Sequence, residues 1–170
     1  EHDELTDKRF QSLNLAAELK QSSDDLTRFV RTYAATGNQI YEEYFNAIVA
    51  IRDSEKPHPK DFNLSYWDRV SDGLIQPASD GELYSIEGRM VEIGLSEGEI
   101  EALVRSKNES DALIDLENIA FNAVKGIYKG QDGQFSVTGE PDHTMAVSIL
   151  HGKEYHAAKS RIMNPIEEFI

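Results

Sequence analysis

Core-type positions return in alternating steps of three and four along the first third of the chain. Leu5, Lys8, Ser12, Leu15, Leu19, Ser22, Leu26, Phe29 and Tyr33 follow that period, which is the seam of a long helix packed knobs-into-holes against a partner. Neither Pro nor Gly interrupts it before Gly37, and Thr36-Gly37-Asn38 reads as its stop. A helix from Glu4 to Ala35 would span roughly 48 Å at 1.5 Å per residue. A rod of that length cannot bury its own stripe and calls for other long helices.

The pattern then breaks into shorter pieces. Ile40 to Arg52 reads as a second helix with Tyr41, Tyr44, Phe45, Ile48 and Ile51 on its apolar side. Lys56-Pro57-His58-Pro59-Lys60 stops it, because each Pro disfavours helix at the residue before it. Phe62, Tyr66, Trp67 and Val70 suggest one or two helical turns that pin aromatic rings to the rest, and Asp72 to Gly81 reads as a loop. Glu82–Ile93 and Ser96–Lys125 are predicted helical, the second opened by a Ser96/Glu99 capping box and striped by Leu103, Leu113, Leu116, Ala120, Val124 and Ile127.

Gly126 to Pro141, with four glycines and the turn Gln131-Asp132-Gly133-Gln134, is a loop or small hairpin. Asp142–His151 is a short helix, and after Gly152 a last helix runs from Lys153 to the chain end. Its stripe is Tyr155, Ala158, Ile162, Ile166 and Phe169, with a kink expected at Pro165. The sum is an all-α fold. The expectation is an antiparallel four-helix bundle with long first and last helices and short decorating helices at one end, in a single domain over residues 1–170. Both ends fall in helical pattern, as expected of a fragment cut from between two membrane-spanning helices.

Charge narrows the partners. Lys plus Arg number 17 against 31 for Asp plus Glu, a formal charge of −14. No basic run is present, so a non-specific grip on nucleic acid or anionic lipid is excluded. Cys is absent, which removes disulfides, thiolate metal sites and thiol nucleophiles together. No Ser sits in a G-x-S-x-G elbow and no Gly-rich loop follows a strand, so no catalytic residues are assigned and no enzymatic activity is expected. Glu140-x-x-His143 has the spacing of half a di-metal pair, but its second half is missing. His151, His156, Met145 and Met163 lack a haem attachment motif. Neither metal nor cofactor is expected.

The polar chemistry gathers on Ser22 to Tyr33. Arg28 and Arg31 stand three residues apart and share a helix face beside Leu26, Phe29 and Tyr33. Two readings stay open. One is structural pairing, with Asp24 and Asp25 on the same helix or with Glu117, which interrupts the apolar stripe between Leu113 and Ala120. The other is a fork for a planar anion such as a carboxylate. Tyr33, Tyr41, Tyr44, Tyr66 and Trp67 are either core or the wall of a small-molecule pocket. The candidate ligand-binding residues are therefore Arg28, Arg31, Tyr33, Tyr41, Tyr66 and Trp67.

Ser22 to Gly37, followed by Tyr41-Glu42-Glu43-Tyr44-Phe45, resembles the extracytoplasmic helical sensor regions of bacterial transmembrane receptors. Tyr66-Trp67-Asp68 and Tyr155-His156-x-x-Lys159-x-x-Ile162-Met163-x-Pro165-Ile166 resemble them as well. Such regions occur in hybrid histidine kinases, chemoreceptors and diguanylate cyclases. The resemblance implies a periplasmic sensor domain of an inner-membrane protein, tethered by flanking membrane helices and homodimeric in the full receptor. It would relay binding of a small molecule, anionic in the fork reading, to a kinase, cyclase or chemotaxis output by displacing helices. The alternative reading is a docking domain for a periplasmic ligand-binding protein, with no pocket of its own.

Overall fold

A computed structural model describes residues 2–168. Its secondary structure is mostly helical, in the order α1 (His2–Thr36), α2 (Gln39–Arg52), α3 (Tyr66–Ser71), α4 (Ile86–Ile93), α5 (Glu97–Lys125), β1 (Ile127–Lys129), β2 (Phe135–Thr138), α6 (His143–His151) and α7 (Lys153–Glu167). α1 ends where the sequence stops it. Gly37 takes a left-handed φ of +68° and its amide bonds the Tyr33 carbonyl at 2.7 Å. Asn38 then caps α2, its side chain accepting from the Ile40 amide at 3.1 Å. The Ser96/Glu99 capping box opens α5 with both bonds formed.

Some boundaries depart from the expectation. The helix expected from Glu82 starts at Ile86, because Ser85 is its cap and the Glu82 carbonyl is engaged elsewhere, by the His58 amide at 2.9 Å. Ile127 leaves the α5 stripe, since Gly126 turns left-handed at φ +77° and hands the chain to a hairpin. In that hairpin Ile127 faces Thr138 and Tyr128 faces Val137. The first heptad of the α1 seam is not buried either. Leu5 is 66% exposed, and continuous burial begins with Ser12 and Leu15. The last helix is not long, because Gly152 divides it into α6 and the 15-residue α7. α7 continues past Pro165 to Glu167, and Phe169 lies outside the described residues.

Pairwise contacts give the directions. Along α6 and α7, Leu150, Tyr155 and Lys159 meet Arg31, Thr27 and Asp24 of α1, so the two run opposite ways. Tyr155 and Ile162 meet Glu117 and Ser106 of α5, again in opposite order. α2 descends along α5, with Phe45 against Phe121 and Arg52 against Ser110. The core between them is built from Leu19, Leu26, Phe29, Phe45, Leu103, Phe121, Leu150, Tyr155 and Ile162. Burial of these stripes, at roughly 1.5–3 kcal/mol for each large apolar side chain, is what holds helices whose exposed faces are this acidic.

Candidate ligand-binding site

Four polar residues of α1 occupy one face at helical spacing, Glu18, Gln21, Ser22 and Asp25. They wall a cavity of about 40 Å³ together with Ile48, Ile51 and Arg52 of α2 and Trp67 of α3. His58, Phe62 and Tyr84, from the segments around α3, and Ile86 close it. The room corresponds to about three water-sized occupants.

Two loop segments hold the far wall. The His58 amide bonds the Glu82 carbonyl at 2.9 Å, and the Gly81 amide bonds the His58 carbonyl at 2.7 Å. The His58 ring consequently stacks on Tyr84, with centroids 3.8 Å apart and planes 2° from parallel, and meets Phe62 edge-on. Glu18 ties this wall to α1. Its carboxylate lies 3.0 Å from His58 Nε2 and accepts from the Tyr84 hydroxyl at 3.1 Å. Burial and the Glu18 charge push the Tyr84 phenol well above its ordinary value, so it stays a donor.

The rest of the wall carries unspent bonding capacity. Arg52 has a side chain only 5% exposed, and its terminal nitrogens donate to Ser110 Oγ at 2.8 Å and Asp111 Oδ1 at 2.9 Å. Its Nε has no protein partner, and the same is true of Ser22 Oγ and His58 Nδ1. Asp25 accepts from Gln21 Nε2 at 3.0 Å and pairs with Arg28 at 3.3 Å, both through Oδ1. Burial raises the Asp25 carboxyl to about 6, against the opposing pull of Gln21 and Arg28. Unpaired buried polar atoms each cost about 1–3 kcal/mol unless something bonds them.

Of the six residues expected to bind ligand, Trp67 alone lines this cavity. Arg28 pairs with Asp68 of α3 and with Asp25, and lies 4.8 Å from the centre of the Phe29 ring. Phe29 in turn gathers Tyr41, Tyr44 and Trp67, while Tyr66 meets Trp67 edge-on and accepts from the Ala78 amide. Arg31 goes elsewhere. Its Nε and terminal nitrogen both donate to the Leu150 carbonyl, at 3.1 and 2.8 Å, and it lies over the Tyr155 ring. Tyr33 packs on Phe121.

The two guanidinium groups are thus engaged by different elements and do not form one fork. Glu117 pairs with neither, taking the Tyr155 hydroxyl at 2.9 Å instead. Sequence reasoning missed Glu18, Gln21, Arg52, His58 and Tyr84. The available signal was the run of polar residues at core spacing from Glu18 to Asp25, a stripe that solvent alone does not explain.

No group of three or more His, Cys, Asp or Glu able to hold a metal occurs among the described residues. Around Glu140 and His143, the Glu140 carbonyl accepts from Tyr128, and His143 Nδ1 lies 3.3 Å from the Ala34 carbonyl. No described helix is long and apolar enough to cross a membrane. No protein-family model, curated protein or solved structure matches the chain.

Proposed function

We propose that this chain is the extracytoplasmic signal-sensing domain of a bacterial transmembrane receptor, an antiparallel four-helix bundle that binds a small molecule and relays it by helix displacement. The four helical rods are α1, α2, α5 and the α6–α7 pair. The observation that carries the reading is the aromatic-walled cavity on α1 with unpartnered Ser22 Oγ, Arg52 Nε and His58 Nδ1 in its wall. Pockets with a few convergent polar groups are the usual form of a small-molecule site. α1 is also the helix whose neighbouring face, at Ser23, Asp24 and Thr27, is bonded to α7. An occupant therefore acts on the same rod that contacts the final helix. Packed helices have a few discrete arrangements, and differential affinity for two of them is enough to bias an output.

A thermal-shift screen over amines, amino acids, organic acids and oxyanions tests the reading, with Ser22→Leu run beside the natural chain. A ligand at about a hundred times its dissociation constant adds roughly 2.7 kcal/mol. The expected result is a midpoint rise for one chemical class that Ser22→Leu abolishes by filling the cavity. No rise for any compound would overturn it in favour of docking a partner protein.

A further inference from the structure

The unspent bonds of the cavity are unequal in kind. Glu18 holds the Nε2 side of His58, leaving Nδ1 with no protein partner on a residue 7% exposed, an acceptor in the tautomer that donates its Nε2 proton to Glu18. Asp25 receives both of its bonds on Oδ1, and among the described residues nothing bonds Oδ2. Ser22 Oγ stands one helical turn from Asp25, also unpartnered. Three groups able to accept are therefore open, the Ser22 hydroxyl among them able to donate as well, against one group that can only donate, Arg52 Nε. The Arg52 charge is already matched by Asp111 at 2.9 Å.

We infer that the cavity binds a small primary ammonium, its three N–H groups directed at the acceptors of Asp25, Ser22 and His58 and its carbon end against the Trp67 and Phe62 rings. This rests on the ligand-sensing reading above and names its ligand class. Aromatic faces attract organic cations. Room for about three water-sized occupants fits an alkylammonium of a few heavy atoms and excludes larger ones without rearrangement. The −14 formal charge of the chain raises the local concentration of cations over anions. Burial raises the Asp25 carboxyl to about 6 despite the Arg28 guanidinium on its other oxygen, so a further cation at Oδ2 would be favoured. A hard metal ion suits the site poorly, since no cluster of three ligating side chains is present among the described residues.

The test is a titration of the 19.1 kDa chain followed by amide nuclear magnetic resonance shifts. Methylammonium chloride is compared with sodium acetate and sodium chloride at matched ionic strength. The expected result is saturable shifts at the amides of residues 18–25, 58, 67 and 84 with methylammonium only, and an affinity about tenfold lower in Asp25→Asn, the loss of one charge-assisted bond. Asp25→Asn keeps the shape of the side chain, and its unfolding midpoint confirms that it folds. Acetate binding at these amides without methylammonium binding would overturn the ammonium assignment while leaving a ligand-sensing pocket, with Arg52 as its anchor. Methylammonium shifts unchanged in Asp25→Asn would also overturn it. Silence with both ions would overturn the ammonium assignment, and silence across the broader thermal screen would overturn the sensing reading itself.

Discussion

Glu117 sits among apolar neighbours on α5 at 1% exposure, and one hydrogen-bond chain accounts for it. Tyr155 Oη lies 2.9 Å from the Glu117 carboxylate and 2.7 Å from Thr27 Oγ1, joining α5, α7 and α1 at a single point. Burial raises the Glu117 carboxyl to about 7, while the Tyr155 hydroxyl and the charges of Lys159, Arg52 and Arg31 pull the other way. The native state therefore holds a proton that the unfolded chain, at the ordinary 4.5, gives up earlier. Stability from this group is full below that lower value and is lost as pH rises through about 7. Asp25, raised to about 6, adds a loss of the same sign at lower pH. Urea midpoints at about pH 5 and about pH 8 should fall with rising pH, and Glu117→Gln should shrink that fall by removing the titrating group. A Glu117→Gln profile parallel to that of the natural chain would contradict the assignment. The sequence shows that Glu117 needs a partner, because it interrupts a stripe of Leu113 and Ala120. It does not show that Tyr155 is the partner, since that depends on how two helices are rotated about their axes.

At the scale of elements, the segment from residue 53 to residue 85 contains only the short helix α3, and it supplies most of the aromatic wall of the cavity. Its shape depends on the pairing of residues 58–60 with 80–82. Besides the two main-chain bonds, the Lys60 amide bonds Asp80 Oδ1 at 2.9 Å. A Cβ placed on Gly81 would lie 2.6 Å from the His58 carbonyl oxygen and 2.8 Å from that of Pro59, both main-chain atoms that cannot swing aside. Gly81→Ala should therefore part the two segments and destabilise the chain by about 1–3 kcal/mol. Hydrogen exchange should quicken at the His58 and Gly81 amides while the middle of α5 keeps its protection. Uniform loss of protection would mean that the segment is not a separable unit. Helices α1, α2 and α5 were legible within a few residues, because period and caps are local. This pairing was not, since two irregular segments about 20 residues apart carry no period, and Glu82 was read into a helix that Ser85 begins later.

In the whole molecule, α1 and α5 run one way and α2 and the α6–α7 pair run the other. Arg9 near the start of α1, Ser96 before α5 and Glu168 after α7 line a common groove, so the two ends of the described chain lie at one pole. The cavity is partway along α1. Its Ser22 and Asp25 face the cavity while the adjacent Ser23 and Asp24 bond Lys159. Spin labels at Asp7 and Glu167 should therefore report a separation that changes by about 1–2 Å when ligand binds, the scale of helix shifts in signalling bundles. An unchanged distance at ligand saturation would separate binding from relay. Helical content was readable from period and caps, whereas the direction in which the helices run rests on contacts such as Arg52 with Ser110 and Tyr155 with Glu117. The division of the last rod was only half readable, because Gly152 marks a break without giving its angle. The residues that shape the far side of the cavity, His58, Phe62, Trp67 and Tyr84, come from an excursion that α1, α5 and α7 do not need for packing on one another. Substitutions there can accumulate while the packing of α1, α5 and α7 on one another stays fixed. Under the proposed sensing function, a lineage carrying this architecture could exchange one ligand for another without rebuilding the helices beneath the cavity.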